Sequence, residues 1–263
     1  MKLLFLGTGA ADWIPEWHER VGYVRRYSSA LINDDLLIDP GPDIWDYREK
    51  LGTPDMFKNI KSIIVTHSHD DHFKVSSIRR LCKEADHPIK VFMEKNSFGK
   101  FAKEDEIPGV ILCPLTPTVP FETEGYNIIP CRSNHSKFLE GEQSLNYIVR
   151  EKSSGRAFFY GSDSGWIVYD TWQLIKQERP NVVIFECTVG PNQEGDDRIF
   201  GHTSVPMIGI MMQTMTKQHG PADDARYYTT HMAMTLHKNH EDTARALAPF
   251  GVTPAYDGLE IEI

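Results

Sequence analysis

The chain has 263 residues, of which 40% are hydrophobic and 25% charged, and its formal net charge is −9. It is long enough to bury a sizeable core, as one large domain or two small ones, and its acidic balance argues against a bulk nucleic-acid binder, whose footprint is basic. No apolar run approaches a membrane span, and Leu3-Leu4-Phe5-Leu6 stops at Gly7, too short for the core of an export signal.

Lys2 to Leu6 reads as an opening strand, followed by Gly7-Thr8-Gly9-Ala10-Ala11, where glycine permits a tight turn and close backbone approach. Residues 12–27 carry Trp13, Trp17, His18, Arg20, Tyr23, Arg25, Arg26 and Tyr27. That composition suits either an ordinary surface loop or a pocket rim, with Arg25 or Arg26 available to a substrate anion. Ser29 to Ile32 and Leu36 to Ile38 form a hairpin turning at Asn33-Asp34-Asp35. The second strand runs into Asp39-Pro40-Gly41, and residues 43–51 look helical.

The run Ile63-Ile64-Val65 reads as a buried strand, and Thr66-His67-Ser68-His69-Asp70-Asp71-His72 follows directly. His67 and His69 are two apart, so in an extended segment their imidazoles share a side and can grip one ion. Asp71 and His72 fall at the turn into a helix predicted from Phe73 to Lys83 and can serve a second ion. Imidazole with carboxylate suits zinc, manganese or iron. A lone histidine is usually structural; three histidines and two aspartates within six positions after a buried strand point to metal.

Further strands are predicted at Ile89 to Met93, Val110 to Leu112, Val119 to Glu122 and Tyr126 to Cys131, with a short helix over 95–104. Pro114, Pro117 and Pro120 break this region, and His135 falls just past its last strand. Leu145 to Arg150 and Ala157 to Tyr160 form a hairpin turning at Ser153-Ser154-Gly155. The second of these runs into Gly161-Ser162-Asp163-Ser164-Gly165, where small neighbours let an aspartate approach metal closely. Tyr169 to Glu178 fits a helix ending before Pro180, and Asn181 to Phe185 a buried strand leading to Glu186-Cys187-Thr188. Gly201-His202-Thr203-Ser204 opens a Met-rich helix from Val205 to Lys217, with Thr203 or Ser204 suited to its N-cap. A strand from Arg226 to Thr230 ends at His231. His237 and His240 read as surface residues beside a helix from His240 to Ala248, and Ala255 to Ile261 closes the chain as a turn and strand.

His67-x-His69-x-Asp71-His72 after a strand resembles the signature of the metallo-β-lactamase superfamily. Glu186-Cys187-Thr188 and Gly201-His202-Thr203-Ser204 are similar to segments of its RNase Z and PhnP-like phosphodiesterase branch. The resemblance covers nearly the whole chain, in order. It implies an α/β fold, the αββα sandwich of two mixed β-sheets flanked by helices. It implies His67, His69 and His135 on one ion, Asp71, His72 and His231 on a second, and Asp163 bridging them, with Asp39 supporting the site from behind. The cofactors are then two divalent metal ions, Zn2+ or Mn2+. His202 is carried over as general acid, Glu186 as its orienter, and Asp71 as catalytic residue as well as ligand; a carboxylate beside a histidine holds its tautomer and favours its protonated form. Two departures stand out. Phe185 replaces the histidine that precedes the glutamate in RNase Z, and residues 11–28 lack the cysteines of the PhnP type's structural zinc site.

The resemblance implies a dinuclear metal-dependent hydrolase, most directly a phosphodiesterase in which hydroxide attacks phosphorus in line and His202 protonates the leaving oxygen. A lactonase or thioesterase on the same metals is the second reading, and a non-hydrolytic metal-binding or redox member of the superfamily the third; an armless RNase Z-like tRNA 3′ endonuclease is a further alternative. Redox relatives usually carry Glu in place of His69. No stretch between the predicted elements is long, glycine-rich and basic, and the net charge of −9 repels a polyanion. The expected partner is therefore a small phosphodiester, cyclic phosphates of a sugar or nucleotide included, with neither nucleic acid nor membrane, and a homodimer as in relatives. Cys82, Cys113, Cys131 and Cys187 stand far apart with no Cys-x-x-Cys pair, as reduced thiols in a cytoplasmic protein do. No repeat or linker interrupts the sequence, so a single domain over 1–263 is the simplest organisation.

Overall fold

In the computed structural model of this chain the described residues are 1–13, 23–101, 107–135 and 140–263. Among them, two seven-stranded sheets face each other. The first runs, edge to edge, β14 (Glu260–Glu262), β1 (Lys2–Gly7), β2 (Ser29–Ile32), β3 (Leu36–Ile38), β4 (Ser62–Ile64), β5 (Ile89–Glu94) and β6 (Val110–Leu115). The second runs β13 (Val252–Pro254), β12 (Arg226–Thr230), β11 (Val182–Glu186), β10 (Ala157–Tyr160), β9 (Leu145–Glu151), β8 (Tyr126–Arg132) and β7 (Phe121–Glu122). Helices α1 (Ile44–Lys50) and α2 (Val75–Glu84) cover the outer face of the first sheet. Helices α3 (Tyr169–Glu178), α4 (Val205–Lys217) and α5 (His240–Leu247) cover that of the second. This is the αββα sandwich.

The layering follows from strand periodicity. Side chains alternate between the two faces of a strand, and the central strands are apolar on both. In β11, Val182 and Ile184 point between the sheets, whereas Val183 and Phe185 meet the helices. In β10, Phe158 and Tyr160 face inward and Phe159 outward. Each such Val, Ile or Phe side chain contributes about 1.5–3 kcal/mol by leaving water, which is why these strands read as unbroken apolar runs.

Strand direction decides where the site forms. β3, β4, β5 and β6 are mutually parallel, and so are β10, β11, β12 and β13. β1 is two antiparallel steps from β3, and β8 two from β10, so each runs with its group. Within each sheet, the segments bearing the sequence-predicted ligands leave strands at one common end. The sheets are tied there: the buried Tyr147 hydroxyl donates to the Val65 carbonyl at 2.6 Å, and the Leu145 amide to Thr66 O at 2.8 Å.

Some boundaries differ from the sequence expectation. β13 was not anticipated, because Pro254 interrupts a short run; as an edge strand it tolerates proline. The edge strand β6 likewise continues through Pro114. The strand expected from Val119 begins at Phe121. The helix expected over 95–104 is a 3₁₀ segment, Lys95–Lys100, and residues 102–104 of that expectation lie outside the described ones. Asn33 and Asp34 turn the β2–β3 hairpin with φ of 44° and 64°, the left-handed pair that such a turn demands.

Candidate metal centre

The ligand loops occupy strained backbone. Asp39, Asp163 and His231 each follow a strand end with positive φ, at 55°, 45° and 55°. A left-handed non-glycine residue costs about 1–3 kcal/mol and persists where its surroundings over-determine it. Gly41 shows how tightly the loops meet: a Cβ there would stand 2.2 Å from the Asp71 carbonyl oxygen.

Two sets of donor atoms converge. In the first, His67 Nε2 lies 2.9 Å from His69 Nδ1, His135 Nε2 3.2 Å from the same atom, and Asp163 Oδ2 3.3 Å from His67 and 3.4 Å from His135. In the second, His72 Nε2 lies 3.2 Å from His231 Nε2 and 3.2 Å from Asp71 Oδ2. Asp163 Oδ1 stands 2.8 Å from His231 and 3.4 Å from His72. Asp163 thus turns one oxygen to each set. Donors about 2.0–2.2 Å from a tetrahedral ion stand roughly 3.3–3.6 Å apart, close to these separations.

The outer nitrogens of the histidines strengthen the fit. Thr66 Oγ1 donates to Asp39 Oδ2 at 2.8 Å, so it accepts from His67 Nδ1, 3.0 Å away. His72 Nδ1 donates to Asp39 Oδ2 at 2.9 Å, and His135 Nδ1 to Gly201 O at 3.2 Å. Thr188 Oγ1 donates to His231 O and accepts from His231 Nδ1 at 2.8 Å. Each Nδ1 is held as a donor, leaving the Nε2 lone pair of His67, His72, His135 and His231 aimed at the shared space. Backing of this kind fixes the tautomer of metal-bound histidine. Asp39, fully buried, also accepts the Thr66 amide at 2.7 Å. It therefore stands behind both His72 and the Thr66 hydroxyl that holds His67.

Electrostatics sort the histidines. Burial draws His67 down to about 3, so its ring is neutral. Burial also opposes charge on His231, but the Asp163 charge and the hydrogen bonds of Asp163 and Asp71 push it up to about 10. Burial would lift Asp163, yet His231, His72 and His135 hold it well below the usual carboxylate range. The carboxylates of Asp163 and Asp71 thus favour positive charge at His72 and His231, the charge that a bound cation would supply.

A second constellation adjoins the first. Glu186, at the end of β11, accepts from His202 Nδ1 at 2.9 Å through Oε1, and is itself fixed by the amides of Ser164 and Thr188. A His202 ring nitrogen lies within 4.8 Å of donors on Asp163 and His231. Burial disfavours its charge, but the Glu186 charge and hydrogen bond, with Asp163, raise its pKa above 6.5. His202 lines a cleft of about 290 Å³ whose walls include Ala10, Asp12, His69, Asp71, Asp163, Arg198 and His231.

The structure corrects several sequence expectations. Arg25 and Arg26 do not line this cleft. Arg25 is buried and donates to Thr8 Oγ1 and Ala255 O at 2.6 and 2.7 Å, with His240 Nδ1 at 2.9 Å. Arg26 pairs with Asp46 at 2.7 Å and with Asp257. Arg25 ties the first loop to the C-terminal turn and α5, and Arg26 to the C-terminal turn and α1. His237 is not a surface residue: it is buried, 2.7 Å from both Thr243 Oγ1 and Cys187 O. Trp13 is a buried strut whose Nε1 donates to Met232 O at 2.7 Å, not part of a pocket rim. Trp17, His18 and Arg20 lie outside the described residues.

Other residues carry tasks that their sequence context does not signal. Thr188 is the last residue of the Glu186-Cys187-Thr188 segment, where only the glutamate had an expected role. Glu142, buried, accepts the Ser68 amide and hydroxyl at 2.8 Å each and the Ser97 hydroxyl at 2.5 Å. It thereby fixes the residue between His67 and His69. Arg198, four residues before His202, supplies the cleft's cation among the described residues.

Residues 35–232 match the model of the β-lactamase superfamily domain, so the chain belongs to that superfamily. With its His/Asp ligand sets, it is a metal-dependent hydrolase of the superfamily. No curated protein matches the sequence. Its fold is similar to that of the metallo-β-lactamase fold protein YhfI from Bacillus subtilis, at 15% identity and TM-score 0.76, covering 100% of this chain and 99% of that one. A diphosphatase of the PhnP family aligns at 19% identity and TM-score 0.73, covering 100% and 97%. The short form of human tRNase Z aligns at 21% identity and TM-score 0.70, covering 100% and 99%.

Proposed function

We propose that this hydrolase cleaves small phosphodiesters, cyclic phosphates included, and that His67, His69 and His135 hold one divalent ion, Asp71, His72 and His231 another, and Asp163 both. The observation that carries the reading is the His202–Glu186 pair set beside the two ligand sets. A leaving alkoxide needs a proton, and a histidine held charged by a carboxylate provides one. Zinc or manganese held by these residues would supply positive charge to the phosphoryl oxygens and lower the pKa of the attacking water. Asp39, Thr66 and Thr188 keep the histidine rings in place. Glu186 holds the proton on His202 Nδ1, so that Nε2 delivers the other to the leaving oxygen. The PhnP-family diphosphatase and tRNase Z among the structural neighbours favour phosphoryl over acyl chemistry. The net charge of −9 favours a small substrate over transfer RNA. Among the described residues no helix is long and apolar enough to cross a membrane, and the thiols are unpaired, which supports a reducing, cytoplasmic setting.

The test is a hydrolysis screen of metal-loaded enzyme on phosphodiesters, phosphomonoesters, lactones, thioesters and precursor tRNA. Small cyclic and linear phosphodiesters should turn over fastest. Preferred cleavage of a lactone or thioester, or accurate 3′ processing of the RNA, would contradict the reading.

A further inference from the structure

Arg198 reaches the cleft from a 3₁₀ turn, Asp197–Phe200, that leads directly to His202. Its side chain is one-third exposed and is held from behind. Asp196 caps the turn by accepting the Arg198 amide at 3.0 Å. The same carboxylate grips the guanidinium side-on, at 2.8 Å from Nε and 3.0 Å from Nη2. Nη2 also donates to Thr235 Oγ1 at 3.1 Å, and Nη1 makes a long 3.4 Å contact with Asp12 Oδ2. Asp12 also accepts from the Met234 and Thr235 amides and the Thr235 hydroxyl.

A guanidinium has five N–H donors. The four side-chain contacts of Arg198 leave one, on Nη1, without a partner among the described residues. A rigidly anchored arginine with a donor left over is built to receive an oxyanion. The metal ligands meet the reacting group whatever its charge, so they do not distinguish an anionic diester from a neutral ester. Arg198, which lines the same cleft as His202 and the ligand sets, adds that distinction.

We propose that Arg198 is a specificity-determining residue, receiving a charged phosphoryl oxygen and selecting anionic phosphodiesters over neutral carboxylic esters. Asp196 is its positioning residue. The inference rests on the phosphodiesterase reading, and its test separates the two. Metal-loaded wild type, Arg198→Gln and Arg198→Lys would be compared on bis(p-nitrophenyl) phosphate and p-nitrophenyl acetate. These share a leaving group, so any effect on His202 cancels. Arg198→Gln should lower kcat/KM for the diester by roughly 10–100-fold, the range for losing a hydrogen bond to a charged group. The loss on the acetate should be at least about tenfold smaller, and Arg198→Lys should recover part of the diester rate. Metal content, by elemental analysis, should match wild type. Equal losses on both esters, or no loss on the diester, would overturn the proposal.

A binding measurement decides the matter without turnover. Calorimetric titration with inorganic phosphate should show affinity about tenfold weaker for Arg198→Gln. If wild type cleaves the acetate but not the diester, the phosphodiesterase reading falls. The phosphate titration remains decisive in that case: weakened binding supports an oxyanion site at Arg198, and unchanged binding refutes it.

Discussion

In the proposed mechanism, His202 is where the chemistry rests on a single proton. Its pKa is raised above 6.5, burial being outweighed by Glu186 and Asp163. The acid form is therefore favoured below the raised value and is lost as pH rises through it, so kcat should fall on the alkaline side. Glu186→Gln removes the charge that sustains the shift, and its alkaline limb should move to lower pH. His202→Ala should keep the metals and lose roughly 10²–10⁴-fold in kcat. That loss should shrink for nitrophenolate esters, whose leaving group needs little protonation. A limb that Glu186→Gln leaves in place, or equal His202→Ala losses on good and poor leaving groups, would deny the acid role. The pair was legible in the sequence as two motifs, with Glu186 and His202 16 positions apart. Thr188, 3.1 Å from His202 Nδ1 and 2.8 Å from His231 Nδ1, was not, since a hydroxyl in a turn carries no pattern of its own.

Elements explain why the candidate ligands were easier to find than their supports. The ligand segments follow strand ends, and strands announce themselves by apolar runs such as Ile63-Ile64-Val65 and Asn181 to Phe185. Supports come from anywhere in the chain. Glu142 lies 74 positions from Ser68, and nothing near it in sequence marks it as buried. The Arg25 and Arg26 pair misled for the same reason: a cation in a polar loop reads alike whether it meets a substrate or Asp46 and Asp257. Edge strands were the other weakness, because proline ends a strand in most settings and is tolerated only at an edge such as β13. Glu142→Gln should loosen the Ser68 turn and weaken the His67–His69–His135 set by about 10–100-fold in metal affinity, the usual cost of disturbing an outer support. The Asp71–His72–His231 set should change much less. Competitive titration against a chelator resolves two affinities, and an equal fall in both would make Glu142 a general stabiliser instead.

At the scale of the whole molecule, the fold brings seven candidate histidine and aspartate ligands from distant strands to one end of two sheets and gives each half of Asp163 to a different set. Only a pair of ions uses every donor that the geometry supplies, because a single tetrahedral ion needs four. Stoichiometry joined to activity is therefore the decisive property. Demetallated protein should be titrated with zinc or manganese while hydrolysis of a small cyclic phosphodiester is followed at each addition. Activity should climb and break at two equivalents per chain, and Asp163→Ala should abolish the break while lowering occupancy of both sets. Full activity at one equivalent, or no phosphodiester turnover at any loading, would contradict it.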